Sequence, residues 1–336
     1  MKENIYNPYP LTLTEGYFSD KEYNSYDMMS EGIDNWEQVC PYQLLPCTPN
    51  GRHQILQLHS MQISYGERNG GTMHNAGATA NTLTIGVVEA CAGKACFGHL
   101  KIQTGDILFF DDSHPHNFVT NDTIQFIAVT IQKSSLGSRL SKLSKALDLC
   151  IKDTDTRFVT TLREIWKRFT ASPHEKKDTA SYQEAEEEIL TVVMELLSEQ
   201  TPAKPKLTSG ERIALTIRDQ VFHHMDGDIS IGSLAKEYEV SEQTLQNSFK
   251  SLFGFTPKLF LRQLKLNIVR QELQKNDPVQ KTVSKVALKW GFRHMGRFSA
   301  YYTELFGENP SQTLKNMQAD EKSLTEACVL RQEEMV

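Results

Sequence analysis

No stretch of these 336 residues approaches the roughly 20 consecutive apolar side chains that a helix needs to cross a bilayer. No membrane span is therefore expected. The first residues, MKENIYNPYPLTLTEGYF, lack the charged-then-apolar layout of a secretory leader. Six cysteines (Cys40, Cys47, Cys91, Cys96, Cys150, Cys328) form no CxxC pair and no CxxC–HxxxH set. Without an export signal they read as reduced thiols of a cytoplasmic protein, not as a disulfide framework or a zinc site. A P-loop, a GxSxG elbow and a conspicuous carboxylate pair are also missing, so the common nucleotide-driven and hydrolytic chemistries have no signature here. No catalytic residue and no cofactor is expected, and the chain reads as a non-enzyme.

Charge is unevenly spread. The net charge of −6 would argue against nucleic acid if taken whole. Yet Thr208–Lys315 holds 15 Lys and Arg against 11 Asp and Glu, and Lys250–Ala300 holds 11 against 2. A basic stripe on an acidic chain is the footprint of a phosphate-binding face, although a solvated helix face has the same composition.

That stripe overlaps an internal repeat. AKEYEVSEQTLQNSFKSLFGF from Ala235 aligns with ALKWGFRHMGRFSAYYTELFGE from Ala287. Ala235 matches Ala287, Val240 matches Phe292, Leu245 matches Phe298, Phe249 matches Tyr302, Gly254 matches Gly307 and Pro257 matches Pro310. In the first unit, Ser230–Tyr238 is expected as a supporting helix, with Ser241 capping a second helix. Leu245, Phe249, Leu252 and Phe253 share its inner face. Gln243, Gln246, Asn247 and Lys250 are left outside; Gln and Asn suit adenine edges, and Lys suits phosphate. Gly254 supplies the left-handed cap. Thr256-Pro257 then opens a long helix, Lys258–Gln274, that can hold the two units at a fixed separation. In the second unit Thr282–Trp290 is the support, and Gly291 stands where the turn needs positive φ. Its counterpart Glu239 would be strained there by about 1 kcal/mol. His294–Phe306 is the second recognition helix, with Phe298, Tyr302 and Phe306 inward. Arg293, His294, Met295, Arg297 and Ser299 face DNA, Arg297 being the candidate for guanine readout or a phosphate clamp.

The remaining chain changes period at Leu140. Arg52–Leu58, Met61–Tyr65, Thr82–Glu89, Gly105–Phe110 and Thr123–Gln132 read as short strands of a barrel or jelly roll. Leu140–Ile151, Phe158–Phe169 and Glu184–Glu199 carry helical apolar faces, which complete the first core or pair with a second subunit. The organisation expected is an irregular segment over 1–35 and a β-barrel or jelly roll over 36–135. A helical dimerisation and coupling segment over 136–200 and a linker over 201–209 follow. An all-α domain with two helix-turn-helix units spans 210–318, before a polar tail over 319–336.

FKSLFGFTP, the helix between the two units and WGFRHMGRFSAYYTELFGENPSQTL resemble the AraC-type DNA-binding domain over Gly210–Leu314. The last phrase is most similar to the ethanolamine-utilisation-type regulators. The resemblance implies base-facing roles for Gln243, Gln246 and Asn247, and for Met295, Arg297 and Ser299. It further implies an activator that binds double-stranded promoter DNA as a homodimer, recruits RNA polymerase and senses an unknown small-molecule effector through its N-terminal half. Glu239 departs from the glycine that the family prefers. Trp36-Glu37-Gln38-Val39, Gly66-Glu67-Arg68-Asn69 and Gly105-Asp106 are similar to the cupin-like sensor of the same subgroup.

A barrel mouth is a natural ligand pocket, and Trp36, Tyr65 and Glu67 are the candidate lining. His114-Pro115-His116 follows Asp111-Asp112-Ser113 and reads as a loop with surface histidines, so no metal site is expected. Two rivals to the effector-controlled regulator remain. One is a regulator governed by a protein partner without an effector; the other is a metal-dependent cupin enzyme.

Overall fold

Two antiparallel sheets build the N-terminal half. The computed structural model describes residues 11, 14–25, 28, 42–76, 78–171, 177–223, 229–275 and 282–315. Its strands are β1 (Phe18–Tyr23), β2 (Tyr42–Gln43), β3 (Gly51–Gln57), β4 (Met61–Arg68), β5 (Thr72–Ala76) and β6 (Thr82–Cys91). They continue as β7 (Ala95–Phe97), β8 (Leu100–Ile102), β9 (Asp106–Asp111), β10 (His116–Thr120), β11 (Ile124–Gln132) and β12 (Cys150–Lys152). One sheet has the order β1-β3-β4-β11-β6-β9-β12, the other β2-β5-β10-β7-β8. Their facing sides enclose Val88, Phe97, Ile102, Leu108, Phe110 and Phe118. The strand pattern predicts a barrel or jelly roll; the two sheets form a sandwich, cupin-like as the resemblance implies.

Three helices follow: α1 (Leu140–Ser144), α2 (Arg157–Thr170) and α3 (Thr179–Glu199). They cover the outer side of the larger sheet, where Ile63, Ile85, Phe109 and Val129 meet Phe158, Leu162, Ile165, Ile189 and Val193. Glu186 of α3 pins them there. Its buried carboxyl group accepts from Met61 N at 2.8 Å and from Ser60 Oγ at 2.7 Å, so both oxygens are hydrogen-bonded on burial. The apolar faces of α2 and α3 are thus consumed inside the chain.

The rest is helical: α4 (Ser209–His223), α5 (Ile231–Glu237), α6 (Glu242–Phe253), α7 (Pro257–Gln274), α8 (Val283–Lys289) and α9 (Met295–Phe306). The first helix-turn-helix unit packs on the outer side of the smaller sheet, burying Leu44, Met73, Cys96 and Val119 with Ala214, Leu245, Leu252 and Phe260. The order of layers is therefore helices, large sheet, small sheet, helix-turn-helix half.

Two elements depart from the expected organisation. β1 falls inside the segment expected to be irregular; it pairs with β3 from Phe18↔Leu56 to Tyr23↔Gly51. It is an edge strand rich in polar residues (FSDKEY), so no hydrophobic alternation announced it. β12 lies inside the segment expected to be helical; its three residues pair with β9 and are too few to register as a period. The span expected as a linker is also tied down. Gln200 Nε2 donates to Lys152 O at 2.7 Å, and Ala203 bridges Cys150. Among the described residues no helix is long and apolar enough to cross a membrane.

Candidate nucleic-acid interface and sensor chamber

Each DNA-binding unit is assembled by local caps. Ser230 and Ser233 form a reciprocal capping box at the start of α5. Ser241 Oγ accepts from Thr244 N at 3.0 Å at the start of α6, and Gly254 ends that helix at φ +78°. Leu245, Phe249, Leu252 and Phe253 are buried, which leaves Gln243, Asn247 and Lys250 exposed and Gln246 half-buried. Gln243 Nε2 donates to Asn247 Oδ1 at 3.0 Å, so the two amides stand side by side on one face, one turn apart. Thr256 caps α7 with Pro257 in its first turn.

The second unit repeats the plan. Thr282 caps α8, and α9 buries Phe298, Tyr302 and Leu305 before Gly307 closes it at φ +71°. Arg293, His294 and Arg297 are exposed, whereas Met295 and Ser299 are half-buried. Met295 packs against the core around Phe298 and Tyr302, so part of its surface is spent on folding. Phe306, expected inward, packs at the margin of that core with its ring 4.7 Å from Tyr302.

The N-terminal half grips both units. Gln43 N donates to Asn267 Oδ1 at 2.8 Å, Asn267 Nδ2 returns a bond to Gln43 O at 2.7 Å, and Gln43 Nε2 donates to Leu305 O at 2.7 Å. One residue of β2 thereby touches α7 and the end of α9. At the first unit, Asp219 of α4 accepts from Asn117 Nδ2 at 2.6 Å and His99 Nε2 at 2.9 Å. Burial pushes the Asp219 carboxyl up, but the His99 hydrogen bond, the Arg218 charge and Asn117 outweigh it and hold the group below the ordinary range. Arg218, fully buried, donates to Gly98 O at 2.9 Å.

Between the sheets lies a chamber of about 60 Å³, lined by apolar side chains together with Arg68 and His74. The Arg68 guanidinium lies 5.6 Å from the Phe118 ring centroid and 3.1 Å from His74 Nε2. Burial and then the Arg68 charge hold His74 well below the ordinary histidine range. Tyr65 and Glu67, the sequence candidates for this lining, are elsewhere. They occupy the alternate positions of β4, where Tyr65 packs towards the α1–α3 side and donates to Glu67 Oε2 at 3.3 Å. Side chains change face at every strand residue, so a choice one residue away from Arg68 selected the wrong side. Trp36 lies outside the described residues.

The HPH segment is a loop only in part. His114 is exposed in the turn, but His116 opens β10 and is buried, with its ring stacked on Phe97 at 4.7 Å. Burial and then the charge of His114 lower His116 to about 4. Asp148, just before β12, joins the two imidazoles, and one ligand atom from each of the three lies within 4.8 Å of the others. The surface position expected of the pair holds for His114 and not for His116, and no local spacing signals the approach of Asp148, which is remote in the chain.

Residues 234–316 match a family model described as a helix-turn-helix domain. The chain is 32% identical over 114 residues to a probable thc operon regulatory protein of Rhodococcus erythropolis, matching 34% of this chain and 33% of that protein. It thus spans about a third of the length of the first curated relatives. An XylDLEGF operon transcriptional activator 2 of Pseudomonas putida is 33% identical over 129 residues, which are 38% of this chain and 80% of that protein. The chain belongs to the AraC family of transcriptional regulators. Among solved structures, the AraC-like transcriptional activator CuxR aligns at 11% identity and a TM-score of 0.41, over 74% of this chain and 94% of that one. None of these relatives is an ethanolamine-utilisation regulator by name, and that narrower likeness gains no support from them.

Proposed function

We propose that the chain is a small-molecule-controlled activator of transcription that reads promoter DNA as a homodimer and brings RNA polymerase to the adjacent promoter. The Gln243, Asn247 and Lys250 face of α6 and the Arg293 and Arg297 face of α9 enter successive stretches of major groove. Gln246 and Ser299 stand at the margins of these faces, with His294 at the start of α9.

One observation carries the control. β7 and β10 each present one face to the chamber and the other to the DNA-binding half. Phe97 lines the chamber, while its neighbour Cys96 lies against α6 with Sγ 3.7 Å from Leu252 O. Phe118 likewise lines the chamber, while Asn117 donates to Asp219. At about 60 Å³ the chamber is smaller than the ~300 Å³ of an ordinary ligand pocket. An effector that enters it must displace Phe97, Phe110 or Phe118, and such a movement reaches α6 through one strand. The apolar lining with one guanidinium suits a largely apolar molecule carrying an anionic or hydrogen-bond-accepting group. This route differs from coupling through the 136–200 helices, which cover the opposite sheet.

The test is footprinting on the DNA upstream of the protein's own gene and its neighbours, with and without a panel of small apolar acids. Protection of two or more groove segments about one turn apart, altered by a panel member and no longer altered when the chamber is filled from its Ala128 wall by Ala128→Phe, supports the reading. Unchanged protection across any ligand that binds the chamber would sink the control mechanism, and no protection at low salt, where phosphate contacts are strongest, would sink the DNA reading. Sedimentation of the same protein tests the dimer.

A further inference from the structure

The cleft between the sensor and α4 holds a group of side chains that neither the chamber nor the DNA-reading faces employ. His116 is 5% exposed and its Nε2 has no hydrogen-bond partner among the described residues. A buried imidazole nitrogen in that state calls for a ligand. It points towards Asp148 Oδ1, 3.7 Å away, and His114 Nε2 stands at the same 3.7 Å from that oxygen. These separations are too long for hydrogen bonds. They suit three ligands around a common centre: a metal about 2.0–2.2 Å from each donor holds neighbouring donors a little over 3 Å apart. The group closes onto such a centre by movements of about an ångström.

We propose that His114, His116 and Asp148 form a binding site for a divalent transition-metal ion. Two imidazoles and one carboxylate are donors for zinc, cobalt, nickel or copper rather than for calcium or magnesium, which prefer all-oxygen shells. The outer groups agree with this role. His114 Nδ1 lies 2.9 Å from Ser113 Oγ; when Nδ1–H donates there, the Nε2 lone pair is free for the metal. The His116 ring is clamped between Phe97 and Phe110, at 4.7 and 5.7 Å. The three donors leave a fourth position open to a cleft of about 410 Å³ that Lys204, Arg218 and Asp219 also line. Asn117, the residue after His116, is the one that binds Asp219. An ion on His116 therefore fixes the strand end that holds the sensor to α4.

The test uses the full chain, stripped with a chelator and titrated with Co²⁺ and Zn²⁺ by calorimetry and visible absorption. One ion per chain is expected, with a cobalt spectrum free of thiolate charge-transfer bands. Tenfold or greater weakening is expected in His114→Ala, which removes an exposed ring, and in Asp148→Asn. The second variant keeps the shape of a residue held at φ +58°, a conformation that asparagine tolerates, so its fold is preserved and circular dichroism verifies it. The absence of binding, wild-type affinity in both variants, or thiolate bands marking cysteine ligation each overturns the assignment.

Discussion

Glu239 and Gly291 occupy the same position in the two helix-turn-helix units and share a left-handed backbone, φ +52° and +84°. The surrounding bonds repeat as well. Val240 N donates to Ala235 O at 2.9 Å, and Phe292 N donates to Ala287 O at 3.0 Å. The turn geometry is thus set by these tight closures rather than by the residue that fills it. Glycine adopts it freely, whereas a side chain at positive φ costs about 1–2 kcal/mol.

Glu239→Gly is accordingly expected to stabilise the first unit by a few tenths to about 1 kcal/mol, because relief of strain outweighs glycine's extra freedom in the unfolded chain. Gly291→Ala is expected to cost about 1 kcal/mol, and crowding is not the reason. A Cβ there meets only Lys265 Nζ at 3.7 Å. Thermal denaturation of the two variants checks both signs; equal shifts in the same direction would contradict the argument.

The bond between Gln43 and Asn267 joins residues 224 positions apart and ties the N-terminal half to the DNA-binding half. Asn267→Ala removes both Gln43–Asn267 bonds and strands the buried Gln43 N–H, at a cost of about 1–3 kcal/mol. Urea denaturation measures the loss. Hydrogen exchange at Gln43 N adds a second readout, since protection there must fall if Asn267 is its acceptor. A cost near zero with unchanged protection would mean that the two halves do not hold this arrangement in solution.

What the sequence disclosed was local. Ser241, Gly254, Gly291 and Gly307 announce caps and turns because each acts within a few residues of itself, and the spacing of Leu245 and Phe249 sets the buried side of α6. The strands betrayed themselves by β-branched and aromatic runs where they were long, but β1 and β12 are edge pieces whose pairing comes from their partners. Tyr65 and Glu67 show how little separates success from failure on a strand, since the neighbouring Arg68 faces the chamber. His116 and Asp148 meet only because β9 and β10 bring the turn beside the start of β12. Nothing in the spacing of HPH records that approach.

The burial of His74 sets the sign of a pH dependence in the N-terminal half. It is fully buried between the Arg68 guanidinium of β4 and the Phe118 ring of β10, and its pKa lies well below the ordinary 6.5. Below pH ~6.5 the unfolded chain takes up a proton that the folded chain refuses. Stability present above that pH is therefore lost as pH falls, by at most about 1.4 kcal/mol per unit, until the folded group itself titrates. In His74→Gln this contribution disappears. Denaturation midpoints between pH 7 and 5 should decline less steeply in the variant, and parallel declines would show that His74 is not the source.

The roles proposed for Arg297 and Lys250 separate reading from holding. Both side chains are exposed and enter none of the ion pairs found among the described residues, so each is free to meet DNA without first breaking a bond. A guanidinium at the start of a recognition helix can bind guanine O6 and N7 together, and losing such a pair costs about 1–3 kcal/mol at one base position. Arg297→Ala is expected to weaken the specific site about 5- to 100-fold and to relax the preference at a single base pair, with competitor DNA affected far less. Lys250 lies in the last turn of α6, and the role proposed for its ammonium is to hold phosphate. Lys250→Ala should weaken all sequences alike and lower the slope of log K against log salt by about 1. Titrations on specific and scrambled duplexes across a salt series distinguish the two. If Arg297→Ala instead lowered specific and scrambled affinity equally, its role would be that of a phosphate clamp, and sequence reading would fall to the Gln243 and Asn247 amides of α6.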